Sequence, residues 1–344
     1  MHILDLNYDI LYIISNYLLE IQDNNFYKNL FRLCGINKYF RMLVLDKQEE
    51  LYISNINILS LFINKFKNIK KIKILNTIKI PSLLFDNFLN SYKNITDLSL
   101  YSMDDNDINI ITYNCKNLNK IYFHSYYLND NSLYSLCNTY ENLKCLYLPH
   151  ISNITYSSLE YLFNKYSYLE EIDLSFNKLI DDNIIDIITL NNGINLKNIF
   201  INSCVNITDM SIFYLSQRCK DITILNLSNN INITNVSMKY ISKFSKLKVL
   251  HIAKCNIDDT GLYEICVNCP LISILFIPDT NITDLSIKNI VSNLHLVKIL
   301  NISNCIRLTN ESIKLLENKY KLPTMIFIYR LSHIKINISK MFIK

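Results

Sequence analysis

Two places in this 344-residue chain carry side chains at spacings that could do chemistry. Asp105, Asp107 and Asn109 alternate as the first oxygen ligands of a calcium loop do. Cys266 and Cys269 form a C-x-x-C that could hold a metal or cycle between thiol and disulfide. Neither reading carries through. A calcium loop needs glycine at its sixth position and a bidentate glutamate at its twelfth; here Ile110 and Lys116 stand there, so the segment reads as a turn. Cys269 falls three residues before an apolar strand position, the slot that Cys115 and Cys219 occupy elsewhere, so the pair reads as core thiols. With 3 glycines there is no phosphate-binding loop, dinucleotide fingerprint or nucleophile elbow, and the 6 histidines include no H-E-x-x-H. No catalytic residue, metal or cofactor is expected. The chemistry left to the chain is recognition by exposed side chains.

Such a surface has to be presented by something, and between Leu196 and Tyr320 one pattern returns five times. It opens L-x-x-L-x-L: Leu196, Ile199, Ile201; Ile222, Leu225, Leu227; Leu247, Leu250, Ile252; Ile272, Leu275, Ile277; Val297, Leu300, Ile302. A small, weakly polar side chain follows three residues on (Cys204, Asn230, Cys255, Thr280, Cys305). Next come a Thr/Asp-type pair such as Thr208-Asp209 or Thr283-Asp284, and then apolar residues at i, i+3. Alternation suits a short strand with one buried face, and Asp, Thr or Asn before an i, i+3 pair suits a capped helix start. A strand–turn–helix unit of about 25 residues with this opening is the signature of leucine-rich repeats, and the cysteine suggests their cysteine-containing subtype. One unit cannot bury its apolar face alone, so units must stack.

The same pattern starts earlier at Ile69, Ile95, Leu118, Leu143 and Leu169, and later at Leu322, for about eleven regular strands. Residues 46–68 read as an irregular first repeat, with Leu51 and Ile53 on a strand and Leu59, Leu61 and Phe62 on a helix. The expected fold is α/β: a right-handed horseshoe solenoid, parallel strands on its concave face and helices on its convex face. Residues 331–344 form a basic tail.

In L-x-x-L-x-L the residues flanking the second and third apolar positions point out of the sheet and stack about 5 Å apart between repeats. Tyr101, Tyr122, His124, Tyr147, His150, Phe176 and Phe200 fall in these rows, with Glu171 and Asp173 among them. Later strands offer mainly Asn, Ser and Ile, with His251 and Phe276 as exceptions. Clustered exposed aromatics are what protein-binding hot spots use, so the seven form the candidate substrate surface.

The formal charge of +5 is modest and spread out. Its densest patch, Lys65, Lys67, Lys70, Lys71 and Lys73, interleaves with apolar positions and reads as a solvated face, not a nucleic-acid site. No run approaches the length of a membrane span, and the start, with Asp5 and Asp9, lacks the zones of a signal peptide. Cytoplasm or nucleus is the expected location. The 10 cysteines are then packing residues, and sequons such as those at Asn206, Asn232 and Asn281 remain unmodified.

Residues 1–45 do not follow the repeat and read as three small helices. Asn7 caps the first, with Ile10, Leu11, Ile14, Tyr17 and Leu18 as its stripe; Phe26, Leu30 and Leu33 mark a second helix ended by Gly35, and Phe40, Leu43 and Val44 a third. Leu6, Asp9, Ile10, Leu11, Ile14, Tyr17 and Leu18 align without a gap to L-P-x-E-L-L-x-x-I-F-x-Y-L. Ile36, Lys38, Phe40, Arg41 and Leu43 then match V-x-K-x-W/F-R-x-L. These residues resemble the F-box; Asn7 stands where proline is usual and Ser15 where an aromatic is common. Together with the cysteine-type repeats, nearly the whole chain resembles the F-box/leucine-rich-repeat family.

That resemblance implies a non-catalytic substrate receptor of an SCF-type cullin-RING ubiquitin ligase. Leu6, Ile10, Leu11, Ile14, Leu18 and Phe40 would bind the Skp-type adaptor and, through it, a cullin, while the repeats hold the protein to be ubiquitylated. The chain would be a monomer within that hetero-complex, with neither nucleic acid nor membrane as partner. Two alternatives stay open: a leucine-rich scaffold unconnected with the ligase, and a regulator that wraps a GTPase or another enzyme.

Overall fold

The apolar positions of each repeat do become strands, one after another. The computed structural model describes residues 48–53, 59–75, 79–319 and 325–327, and the chain divides into two compact units, Met1–Ser158 and Leu159–Lys344. In the first unit the strands β1 (Glu50–Ile53), β2 (Lys71–Ile74), β3 (Asp97–Tyr101), β4 (Lys120–His124) and β5 (Cys145–Tyr147) lie in chain order, each pairing in parallel with the next. Between them run α1 (Leu59–Phe62), α2 (Ser82–Asn90), α3 (Asp105–Asn114) and α4 (Asp130–Thr139). Helix α5 (Tyr156–Lys165) contains the point of division.

The second unit repeats the scheme with seven strands. These are β6 (Glu171–Asp173), β7 (Asn198–Phe200), β8 (Ile224–Asn226), β9 (Val249–His251), β10 (Ile274–Phe276), β11 (Ile299–Asn301) and β12 (Met325–Phe327), all parallel to their neighbours. The intervening helices are α6 (Asp182–Asn192), α7 (Asp209–Arg218), α8 (Asn235–Ile241), α9 (Asp259–Asn268), α10 (Asp284–Asn293) and α11 (Asn310–Lys319).

Burial explains why these residues form these elements. Across β7 to β11 only the central strand residue is buried, and the apolar residues before and after the strand are buried as well, which gives each L-x-x-L-x-L its three anchors. Helices contribute an i, i+3 or i+4 stripe, such as Ile212 and Leu215 in α7. Beside the first of these, a buried serine (Ser211, Ser237, Ser286, Ser312) lets the helix approach its neighbour closely. The described cysteines are all free and buried, including Cys266 and Cys269, whose thiols burial pushes up to about 12.

Polar straps join successive repeats, and they explain two residue choices that periodicity alone leaves open. The small residue after β7, β8, β9 and β11 donates to the carbonyl of the preceding repeat's third apolar position: Cys204 Sγ to Leu174 O at 3.2 Å, Asn230 Nδ2 to Ile201 O at 2.9 Å, Cys255 Sγ to Leu227 O at 3.3 Å and Cys305 Sγ to Ile277 O at 3.2 Å, whereas Thr280 Oγ1 donates within its own repeat to Ile277 O at 2.8 Å. The Thr-Asp pair divides its labour. Thr208, Thr234 and Thr283 cap their own helices through the hydroxyl. The aspartate reaches the next repeat: Asp259 accepts from Thr283 N at 2.8 Å, Thr283 Oγ1 at 2.7 Å and Ser286 Oγ at 2.5 Å, and Asp209 and Asp284 accept from the corresponding groups.

Within the second unit the joint after α8 departs from the rule. Asn235 stands where the strap aspartate belongs, and the next repeat answers with Asp258, Thr260 and Gly261. Asn235 Nδ2 donates to Asp258 Oδ1 at 2.8 Å and to Thr260 Oγ1 at 2.9 Å, so the side-chain bonds run in the opposite direction, while Asn235 Oδ1 still accepts from Asp258 N at 3.1 Å. A Cβ on Gly261 would meet Asn235 Oδ1 at 2.3 Å, so here the slot needs glycine for close approach.

The segment expected as a turn at Asp105–Asn109 is instead the first turn of α3. Asp104 is its cap and forms a reciprocal capping box with Asp107. Alternating acidic residues here feed orphan N–H groups and the helix dipole, which favours negative charge at this end. Among the described residues no cluster of three or more His, Cys, Asp or Glu could hold a metal, and no helix is long and apolar enough to cross a membrane.

Candidate functional surface

The strand face of the first unit gathers most of the residues singled out by spacing. β3 and β4 alternate half-buried and buried positions, so Tyr101, Tyr122 and His124 point outward while Leu98, Leu100, Ile121 and Phe123 fill the core. Parallel register then stacks outward residues in rows. Tyr101 pairs with His124, their rings 4.5 Å apart and within 6° of parallel. Tyr122 pairs with Tyr147, also at 4.5 Å but tilted by 41°. Both separations are close to the strand spacing, so the sheet brings the rings together.

His150 and Phe176 stand differently from expectation. Neither lies on a strand: β5 ends at Tyr147 and β6 at Asp173, and the chain then passes through a left-handed turn with φ of 63° at His150 and 64° at Phe176. Other repeats fill this place with Ser102, Ser203, Asn229, Lys254, Asp279 or Asn304, most of them short polar residues that tolerate the conformation better than an aromatic does. His150 packs on exposed Tyr126 at 5.2 Å in the first unit, and Phe176 in the second is 46% exposed. Each unit thus presents one ring from a backbone conformation that the other repeats give mostly to short polar residues.

Phe200, on β7 of the second unit, faces outward and pairs in register with Asp173 and Asn226. It therefore sits in a polar row apart from the ring pairs of the first unit. The six residues Leu6, Ile10, Leu11, Ile14, Leu18 and Phe40 lie outside the described residues, as does the tail at 331–344.

Spacing alone missed the outer part of the first unit's face. Tyr52, Lys73, Ser99, Tyr122 and Tyr147 form one row in register, and Glu50, Lys71, Asp97 and Lys120 form the row beside it. Lys71 Nζ lies 2.5 Å from Glu50 Oε1; their hydrogen bond holds the Glu50 carboxyl below its ordinary range and raises the Lys71 ammonium. Together they wall an open cavity of about 310 Å³. A repeat-by-repeat alignment would have put Lys73 in the slot of Tyr122 and Tyr147; as a member of a local lysine run it looked merely solvated.

The second unit's strand face has another character. Ile224, Val249, Ile274 and Ile299 run in register as a half-buried aliphatic row. Beside them the His251 and Phe276 rings lie 4.4 Å apart and tilted by 32°, and burial lowers the His251 pKa so that its neutral form is favoured.

Short parallel strands alternating with helices, joined rung by rung, define a leucine-rich-repeat solenoid, a class whose strand face serves as a protein-interaction scaffold. A family model described as "Leucine Rich repeat" matches residues 245–266. Two curated relatives are both called Antagonist of mitotic exit network protein 1. The Saccharomyces cerevisiae protein is 26% identical over 106 residues, 30% of this chain and 19% of that protein. The Candida glabrata protein is 29% identical over 157 residues, 45% of this chain and 26% of that protein. Each match thus spans about a quarter or less of the relative's length. Among solved structures, yeast Rad7, crystallised in complex with Elc1, superposes with a TM-score of 0.63 at 16% identity, covering 98% of this chain and 91% of that chain. An internalin (inlF) of Listeria monocytogenes superposes with a TM-score of 0.53 at 16% identity, covering 93% and 94%. At such identity these two similarities establish the fold.

Proposed function

We propose that the chain is a non-catalytic receptor that captures a partner protein on its strand face and delivers it to an SCF-type ubiquitin ligase through its N-terminal helices. The observation that carries the capture step is the pair of aromatic rows on the first unit, Tyr101 with His124 and Tyr122 with Tyr147, which the fold holds outside the core. Rings already stacked lose little freedom when a partner covers them, which favours their use as anchors. The ligase step is supported by the F-box resemblance of residues 1–45, with Leu6, Ile10, Leu11, Ile14, Leu18 and Phe40 as the adaptor contacts. Rad7, to which the fold is similar, was itself crystallised with a companion, Elc1. In this role the chain acts by proximity, holding a lysine of its cargo near the charged conjugating enzyme.

A second reading is a scaffold or regulator that binds its partner without any ligase; the relatives named as antagonists of the mitotic exit network favour it. One experiment separates the two. In a pull-down with the organism's Skp-type adaptor, full-length chain is expected to bind, and Ile10→Asp with Leu11→Asp to lose binding; binding untouched by those changes leaves only the scaffold. For the capture step, Tyr122→Ala with Tyr147→Ala should weaken partner binding by about 2 kcal/mol or more. Unchanged affinity would remove these rings from the site.

A further inference from the structure

The outer rows of the first unit carry an imbalance of charge. In the row Glu50, Lys71, Asp97, Lys120 the signs alternate and the lysines are matched, Lys71 to Glu50 at 2.5 Å and Lys120 to Asp97 at 3.8 Å. The adjoining row adds Lys73, half-buried between Tyr52 and Ser99, with no carboxylate at ion-pair distance among the described residues. Three lysines thus face two carboxylates, both engaged, and the surplus positive charge sits within the walls of the 310 Å³ cavity. An ammonium not already neutralised by a carboxylate attracts an incoming anion more strongly than one held in an ion pair. Tyr52, 53% exposed and tied through its hydroxyl to Glu50 at 3.1 Å, supplies one wall, and Tyr122 another.

We infer that this cavity seats an acidic residue of an extended segment of the partner protein. The partner's carboxylate pairs with Lys73, and the apolar residues that follow it lie on the ring rows of Tyr122–Tyr147 and Tyr101–His124. The inference rests on the reading that this face captures a partner and specifies what the partner must carry. Lys73 gives polarity to an otherwise sequence-tolerant aromatic surface, since a basic residue at the same point would meet like charge.

The test is a fluorescence-anisotropy titration of the full-length chain with a labelled copolymer of glutamate and tyrosine, and with a lysine–tyrosine copolymer as the charge-reversed probe. The glutamate copolymer should bind and the lysine copolymer should not. Lys73→Glu should weaken binding about tenfold and Lys73→Arg should retain it, while Lys254→Glu, on an exposed turn of the second unit, should change nothing. Unaltered melting curves verify that the variants fold. Failure of the glutamate copolymer to bind the unaltered chain overturns the inference, as does an equal loss in Lys73→Glu and Lys254→Glu. If Tyr122→Ala with Tyr147→Ala abolishes binding while Lys73→Glu does not, the assignment to Lys73 fails and the capture reading stands. If none of these variants matters, both fail.

Discussion

The strand faces of the two units share a buried half and differ in the outward half. Beneath, Leu98, Ile121 and Leu146 in the first unit correspond to Leu225, Leu250 and Leu275 in the second, all fully buried in the same register. Outward, the first unit shows Glu50, Lys71, Asp97 and Lys120 beside stacked rings, where the second shows Ile224, Val249, Ile274 and Ile299 beside amides, His251 and Phe276. The core and the outward face therefore use alternate residues of the same strands, and one can change without the other.

The sharpest way to break that comparison is to attack the shared half. Leu98→Ala and Leu250→Ala should each cost about 2–5 kcal/mol in denaturant unfolding, with no systematic difference between units. A much smaller cost in either would mean that its strands are not held by the same core.

Acid should loosen the joints in both units. Burial alone would raise the carboxyls of Asp130, Asp259 and Asp284, but hydrogen bonds from the next repeat's serine and threonine outweigh it and lower them. Because the folded value lies below the unfolded one, this stabilisation is fully present above the ordinary carboxyl value of 3.8 and is lost as pH falls through the folded values. Thermal melting between pH 6 and about pH 3 should show the loss, and Ser286→Ala should shrink the share due to Asp259. A melting temperature that stays flat would show that the straps add nothing.

The smallest effect belongs to the outward aliphatic row. Val249→Ser with Ile274→Ser should cost about 1 kcal/mol or less per site and leave partner capture intact. Lost capture would move the site to the second unit.

Much of the fold was legible because burial repeats with the chain. The strand anchors, the small residue after each strand and the helix starts recur at nearly constant intervals from Leu196 to Leu316, and there each stands at its expected place. The straps were not legible: Thr283 looks like a helix cap, which it is, but its bond to Asp259 joins residues 24 apart and leaves no local signature. Alternation places the outward residues of β3 and β4, where strands run through His124, but at His150 and Phe176 strands stop early and the left-handed turn, not alternation, sets where the ring lies. Lys73 was hidden because a run of lysines looks the same whether or not one of them faces a cavity.

The straps also determine which repeats are interchangeable. At an ordinary joint the carboxylate belongs to the earlier repeat and the hydroxyls to the later one, so a duplicated module bearing Thr-Asp-x-Ser could be spliced between two others and both of its seams would close. The seam between Asn235 and Gly261 is keyed differently: its successor, lacking the serine and carrying Asp258, would bring two carboxylates together if it followed any aspartate-bearing module. Within the second unit, lengthening by internal duplication is thus open on either side of that seam and closed across it, a polarity that a simple repeat count conceals.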